Sequence, residues 1–413
     1  MSKSAGTIAI AVGALGALFV TWVLLHQGFW AERPISDVPV YERYGEAMVA
    51  GEVPYRDFAV EYPPGALPVF ALPTVGDGSN GYRRLFEALM WLCGAAALVA
   101  MVVSLSALGR RGAARAAPPA FAAVLPLALG SVVLSRFDLL PAALAVAALA
   151  ALVGGRERVG CAVLGLGAVV KVFPGVLVPL ALAFVWRREG RREALICGAI
   201  LAGAIAACVL PFAAISPGGL WDAFSMHATR GLQIESLGSA ILLAAHQVGD
   251  IEMTTGTSAG SQNLVGTGAD VLAAGQTVLQ LAALAAIWTA FARRGDPGDR
   301  ERLVRYAAAA VCAFVALGKV LSPQFLIWLL PLVPLVGGRR GAAASALLAL
   351  AAVLTQLWFP HRYWDLVEDL DATATWLVLT RDVLLLAIVA VLVSPARAWS
   401  RRRARLQAAA GSA

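Results

Sequence analysis

Twelve apolar runs divide this chain, at 7–28, 84–108, 118–134, 139–153, 160–170, 173–186, 195–213, 269–292, 303–319, 324–337, 341–358 and 373–394. A helix needs about 20 residues to cross the hydrocarbon core of a bilayer. The longer runs meet that length. The shorter ones imply tilted, broken or re-entrant helices buried among their neighbours. Only 14% of the 413 residues are charged and 59% are hydrophobic, where a soluble domain carries roughly 25% charged residues. That excludes a soluble globular enzyme, a disordered chain and a nucleic-acid-binding module. The expected fold is an all-α polytopic membrane protein, with about 12 transmembrane or re-entrant helices in a single integral membrane domain over residues 1–413. Residues 7–27 sit where a signal peptide would, but the run is long and no A-x-A site follows, so it reads as a retained first span. The five cysteines fall inside apolar runs without a close pair, which argues against a disulfide framework or a metal site.

Charge gives the orientation. If the N-terminus is cytoplasmic, the loops on that side hold 22 of the 33 basic residues and 6 of the 26 acidic ones. Such an excess of arginine marks the cytoplasmic side, so both termini are expected there, in a plasma membrane. The segment 160–186 is too short for two full spans, yet arginine-rich stretches flank it on both sides. Pro174 breaks helical hydrogen bonding. We therefore read two short helices with an outer turn at Lys171–Pro174.

Three segments lie outside in this reading: a first outer loop at 29–82, a second at 214–267 and a short third at 359–372. Residues 395–413 form a basic cytoplasmic tail. In the first loop Tyr41, Tyr44 and Met48 recur at helical spacing, with Glu42, Arg43 and Glu46 on the other side. This pattern predicts a helix lying in the membrane interface. Residues 231–247 read the same way, and 250–268, rich in Gly, Thr and Ser, read as a mobile loop.

Ionisable groups in membrane segments are costly and mark functional positions. Here they collect at the outer side. Asp37 follows the first span, and Asp57 and Glu61 come later in PYRDFAVEYPPG. Arg136 and Asp138 sit in the tight turn SRFD, where they either pair with each other or meet a ligand. Lys171 stands in VVKVFPG, Lys319 in GKVLSPQF, and Arg381 with Asp382 interrupts the last run. His361 lies among aromatics in WFPHRYWD.

An acid beside several cations near the headgroups suits sugar transfer from a lipid-linked donor. A sugar on polyprenyl phosphate already carries a leaving group. The enzyme then needs a carboxylate to take the acceptor's proton and fixed positive charge for the departing phosphate. Asp37 fits the first role; Arg136, Lys171 and Lys319 fit the second. Glu61, Asp138, Tyr62, Gln324 and His361 are the candidates for orienting the sugar or those cations.

Four stretches carry a family resemblance: SDVPVYERYGEAMVAGEVPYRDFAVEYPPG, SRFDLLPAALAVAAL, VVKVFPGVLVPL and SPQFLIWLLPL. The chain resembles an actinobacterial polytopic glycosyltransferase of the GT-C superfamily, in glycosyltransferase family 87. That family includes polyprenyl-phosphate-mannose-dependent α-mannosyltransferases. The resemblance implies a GT-C-like helical fold, a catalytic aspartate in the first outer loop (Asp37), and an active site on the extracytoplasmic face. It also implies inverting transfer without a metal or any cofactor besides the polyprenyl-phosphate sugar. The implied partners are that donor, a glycolipid or glycan acceptor and membrane lipids, with no nucleic acid. In the mycobacterial mannosyltransferase branch a histidine follows the Ser-Pro pair closely; here Gln324, Phe325 and Leu326 follow Ser322-Pro323. That departure bears on the acceptor more than on the transfer chemistry.

Three rival readings remain at this stage. One is a transporter or flippase of a lipid-linked or polyanionic substrate, which would favour inverted repeats and midplane charges. Another is an inactive lipid-binding relative. The third is a metal-dependent transferase with Asp37, Asp57 or Glu61 as ligands.

Overall fold

Each of the twelve apolar runs falls on helical structure. The computed structural model describes residues 3–32, 35–249, 251–258, 260–296 and 298–395, and of Lys3, Ser4 and His227 the backbone alone. The expected basic tail lies outside the described residues from 396 onward. Six helices are long and apolar enough to cross a membrane: Ala5–Leu24, Gly78–Ala107, Arg191–Ile215, Thr267–Arg293, Gly338–Trp358 and Ala372–Val393. The other runs form shorter helices, including Leu139–Val153, Glu157–Val170 and Arg300–Ala316. A count of 12 full spans therefore goes beyond what helix length supports.

Burial separates inner helices from outer ones. Ala307–Ala313 is wholly buried, and its run of small side chains lets neighbouring backbones come close. By contrast, only 11% of the apolar window of Arg191–Ile215 is covered by the rest of the chain. Leu195, Leu210, Val271, Val278 and Leu281 all face outward. Such surface is tolerated when lipid is the solvent, and the chain is a multi-pass membrane protein.

The arginine-rich helix ends gather at one end of the bundle. Arg110 pairs with Glu301 at 2.6 Å and Arg158 with Glu193 at 2.6 Å. Arg115 donates to Thr7 Oγ1 near the start of the first helix, and Arg340 to Ser394 O at the end of the last.

The segment 160–186 is two helices. Glu157–Val170 stops at Lys171, whose backbone is extended (φ −158°, ψ 144°). A 3-10 turn over Phe173–Leu177 carries Pro174 and leads into Val178–Glu189.

The two long connecting segments depart from expectation. Helix Val38–Val49 forms where predicted, but its aromatic face does not lie open at an interface. Tyr41 and Tyr44 are buried, with the Tyr41 ring stacked on Phe70 at 4.7 Å and Tyr44 on Phe58 at 6.0 Å. Gly45 permits this packing, since a Cβ there would collide with Phe70 O. Residues 250–268 are not a loop. They hold β2 (Thr254–Ser258) and β3 (Ser261–Val265), an antiparallel hairpin joined by β1 (Leu232–Gln233) in the order β1-β3-β2. Asn263 Nδ2 donates to Ser258 Oγ at 2.9 Å, and Gly260 turns the chain at φ +66°. The expected all-α fold thus carries one small sheet. The stretch read as a surface helix at 231–247 begins with β1 and continues as helix Leu237–Gly249. That helix buries Gly238, Ser239, Ala240 and Leu243 and packs on Ala372–Val393.

Candidate active site

The turn SRFD is the hinge of the site. Short helix Val132–Ser135 ends at Arg136, which is extended (φ −130°, ψ 141°), and helix Leu139–Val153 begins after Asp138. Arg136 and Asp138 do not pair with each other. Arg136 Nε lies 3.0 Å from Asp37 Oδ2, and its Nη1 donates to Ser135 O at 3.2 Å and Ile35 O at 3.3 Å. Asp37 stands where an N-cap would, before helix Val38–Val49, yet its side chain makes no capping bond. The carboxylate faces Arg136 instead and accepts from Tyr41 Oη at 3.4 Å. The Arg136 side chain is 6% exposed and that of Asp37 32%, so the guanidinium is enclosed by protein while part of the Asp37 side chain stays open to the surface.

Asp138 faces the other way. Its Oδ1 accepts from Lys171 Nζ and from Trp328 Nε1, both at 2.6 Å. The ammonium of Lys171 lies over the rings of Phe137 (4.7 Å), Trp328 (5.3 Å) and Phe325 (5.7 Å), a cation–π setting. Trp328 is stacked between Phe173 and Phe325, each at 4.2 Å. The break at Lys171–Pro174 places Phe173 in this stack. Phe137 joins the two halves, for its ring also meets Tyr62 at 5.0 Å and Tyr41 at 5.6 Å. Trp328→Phe is expected to cost about 1–3 kcal/mol, because the stack survives while a buried carboxylate loses a donor. Thermal unfolding in detergent reads this, and an unchanged midpoint would remove the Trp328 bond from the account.

Tyr62 packs beside Tyr41 and Phe70, and burial pushes its phenol up, with the Asp37 carboxylate adding to the rise. Burial likewise pushes the Glu61 carboxyl up; Arg230 and Arg43 oppose this and Asp37 adds to it. Glu61 therefore shares the electrostatic surroundings of Asp37. Gly65 lies four residues on, where a Cβ would come within 2.6 Å of Val169 O. That close approach sets the first long segment against the end of the helix leading to Lys171.

The remaining candidates lie apart. Lys319 Nζ donates to Ala228 O at 2.8 Å, at the end of helix Pro217–Thr229. Among the described residues no hydrogen bond or ion pair joins it to Asp37 or Lys171. Its own carbonyl accepts from Gln233 N at 3.0 Å, and Gln233 Nε2 donates to Ser322 Oγ at 2.7 Å, so GKVLSPQF is tied to the second long segment. Gln324 starts helix Phe325–Leu329, which delivers Phe325 and Trp328 to Lys171. His361 stacks on Phe29 at 4.6 Å. Asp57 is held down to about 2 by Arg56, 2.8 Å away. Among the described residues no three His, Cys, Asp or Glu side chains converge as metal ligands.

Three neighbours of these candidates lie outside the set that sequence pattern picks out. Tyr41 stands on the helix expected at the interface but is buried, and Trp328 lies inside the protein. Glu235, 2% exposed, is a lone acid in the apolar stretch GLQIESLGSAILL. That cost is the available signal, in a segment whose pattern predicts a surface helix.

The family model described as Glycosyltransferase family 87 matches residues 60–323, well over half of the chain. The chain belongs to glycosyltransferase family 87. This family 87 chain has no match in sequence among curated proteins. In shape it is similar to ArnT from Cupriavidus metallidurans. The crystal structure bound to undecaprenyl phosphate aligns at 14% identity and a TM-score of 0.45. The apo structure aligns at 15% and 0.48. In both, 95% of this chain and 77% of the other is covered. At TM-scores below 0.5 the likeness assigns no residue a role.

Proposed function

We propose that this membrane glycosyltransferase moves a hexose, with mannose as the first candidate, from a polyprenyl phosphate to a lipid or glycan acceptor. The observation that carries this reading is the pairing of a reachable carboxylate, Asp37, with a fixed guanidinium, Arg136, at 3.0 Å. Asp37 takes the acceptor hydroxyl proton as that oxygen attacks C1 of the sugar. The C1–O bond to phosphate breaks and the lipid phosphate leaves, so a β-linked donor gives an α-linked product. Arg136 orients the base and presents charge to the phosphate. Lys171, one aromatic ring away, adds positive charge, tempered by its bond to Asp138. Glu61 and Tyr62 line the approach.

The sided placement belongs to the same proposal. The arginine-rich helix ends sit with the start of the first helix, whereas Asp37 follows that helix's other end. Arginine-rich ends favour the cytoplasm, which puts Asp37 on the extracytoplasmic face of the plasma membrane and both termini inside.

The test is transfer of label from polyprenyl-phosphate-[14C]mannose to lipid or glycan in washed membranes holding the full chain. A labelled product absent from control membranes is expected. Product formed only from another polyprenyl-phosphate hexose would replace mannose. No product from any of them would sink the proposal.

A further inference from the structure

Where the arginine-rich helix ends gather, an open cavity of about 440 Å³ lies among the starts of helices Glu157–Val170 and Arg191–Ile215 and the end of helix Val178–Glu189. That volume is within the range of small-ligand sites. Three carboxylates line it: Glu157, Glu189 and Glu193. Glu193 is satisfied, since Arg158 donates to both of its oxygens, from Nε at 2.6 Å and from Nη2 at 2.9 Å. Glu157 and Glu189 share a single cation. Arg188 Nε lies 3.9 Å from Glu157 Oε1 and 3.7 Å from Glu189 Oε1, too far for a hydrogen bond to either. Its guanidinium is held over the ring of Phe184, 5.3 Å from the centroid. Arg188 Nε and Glu157 Oε1 are both buried without a hydrogen-bond partner among the described residues.

The rim carries the opposite sign. Arg156 lines the cavity, and Arg187, Arg191 and Arg192 stand within three residues of Glu189. All four are exposed, and among the described residues none of them makes an ion pair or a side-chain hydrogen bond. Beside them the surface is apolar. Val159, which also lines the cavity, Trp186, one turn before Glu189, and Leu195, one turn beyond Arg191 and Arg192, are all exposed. A ligand that answers all three features carries an ammonium for the two carboxylates that share a cation, a phosphate for the unpaired arginines and hydrocarbon for the apolar flank. A purely anionic headgroup would meet the glutamates as like charges, and a soluble zwitterion would leave the apolar flank uncovered.

We propose that this cavity is a lipid site for an aminophospholipid, phosphatidylethanolamine. The ammonium donates to Glu157 and Glu189, the phosphate takes the arginine rim in charge-assisted hydrogen bonds, and the acyl chains run along Val159, Trp186 and Leu195. Tryptophan is favoured at this headgroup level. Helix Leu139–Val153 carries the chain from the SRFD turn to this end of the bundle, so the site stands apart from Asp37 and does not depend on the transfer chemistry or on the sugar moved.

Binding would be measured on the purified full chain in detergent by native mass spectrometry, with phosphatidylethanolamine, phosphatidylcholine and phosphatidylglycerol of matched chains. Phosphatidylcholine keeps the phosphate, but its quaternary nitrogen has no N–H; phosphatidylglycerol has the anion without an ammonium. Wild type is expected to hold phosphatidylethanolamine about tenfold more tightly than either, the worth of a charge-assisted hydrogen bond. Glu157→Gln with Glu189→Gln should abolish that preference and leave phosphatidylglycerol binding no weaker. Glu189→Gln alone, at an exposed side chain whose loss folding tolerates, should lower it by about threefold or more. Arg187→Gln with Arg191→Gln and Arg192→Gln should weaken all three lipids, whereas Arg293→Gln with Arg294→Gln, exposed at the end of helix Thr267–Arg293, should weaken none. Equal binding of the three lipids by wild type, tighter binding of phosphatidylglycerol, or a preference that survives the glutamate substitutions would overturn the proposal. An equal loss in the Arg293 and Arg294 variant would reduce the effect to general charge and overturn it too. Displacement of the lipid by equimolar free phosphoethanolamine would give the cavity to a soluble ligand instead.

Discussion

Asp37→Asn is expected to lower sugar transfer by about 10²–10⁴-fold, the usual worth of a positioned general base. The substitution is nearly isosteric and removes proton-accepting capacity. The site should keep its shape, because Arg136 retains Ser135 O and Ile35 O and the Asp37 side chain is one-third exposed. Loss of a partly solvated pair costs little stability. The deficit should therefore lie in kcat, with an unaltered thermal midpoint and near-normal retention of undecaprenyl phosphate. Glu61→Gln should cost far less. Transfer by Asp37→Asn within tenfold of wild type would move the base elsewhere. Full loss of transfer together with loss of phosphate binding would recast Asp37 as the group that keeps Arg136 in place.

The parts of this site that sequence revealed are those set by local rules. Apolar length marked the helices, and Pro174 with its arginine-rich flanks marked the break at Lys171–Pro174. The cost of burying charge picked out Arg136, Asp138, Lys171 and the Arg381–Asp382 pair. Partnership was not legible, because it joins residues 33 positions apart for Lys171 with Asp138 and 190 apart for Trp328 with Asp138. No local pattern says that Arg136 turns to Asp37 while Asp138, two residues on, turns to Lys171. Lys319 shows the same gap between cost and partnership. It met the same cost criterion but spends its ammonium on the Ala228 carbonyl. The hairpin at 254–265 was hidden by composition: its Thr, Ser and Gly suit a loop equally well, and its order comes from pairing with β1 and from the Asn263 bonds.

Arg381→Met is expected to be the most destabilising single change, at about 3–5 kcal/mol. The guanidinium lies wholly inside the protein, beside Asp382 and 5.8 Å from the centre of the Trp358 ring. Truncating the charge leaves Asp382 buried and unpaired, with Glu235 close by, and deprives the Glu235 carbonyl of its donor. Methionine fills much of the volume, so the loss would be electrostatic rather than a cavity. The pair should be separable from its charge: Arg381→Met with Asp382→Leu removes both ions and should recover most of the lost stability, since a matched apolar replacement of a buried ion pair is often neutral. The two outcomes diverge for function. If the pair served packing alone, the double variant would also regain transfer. The bond from Arg381 to Glu235 makes a different result expected: stability returns while phosphate binding stays weak, because the segment between β1 and helix Leu237–Gly249 has lost the donor that holds it. Thermal midpoints and undecaprenyl phosphate affinity, taken on wild type and both variants, decide between them; recovery of both together would reduce Arg381 to a packing element.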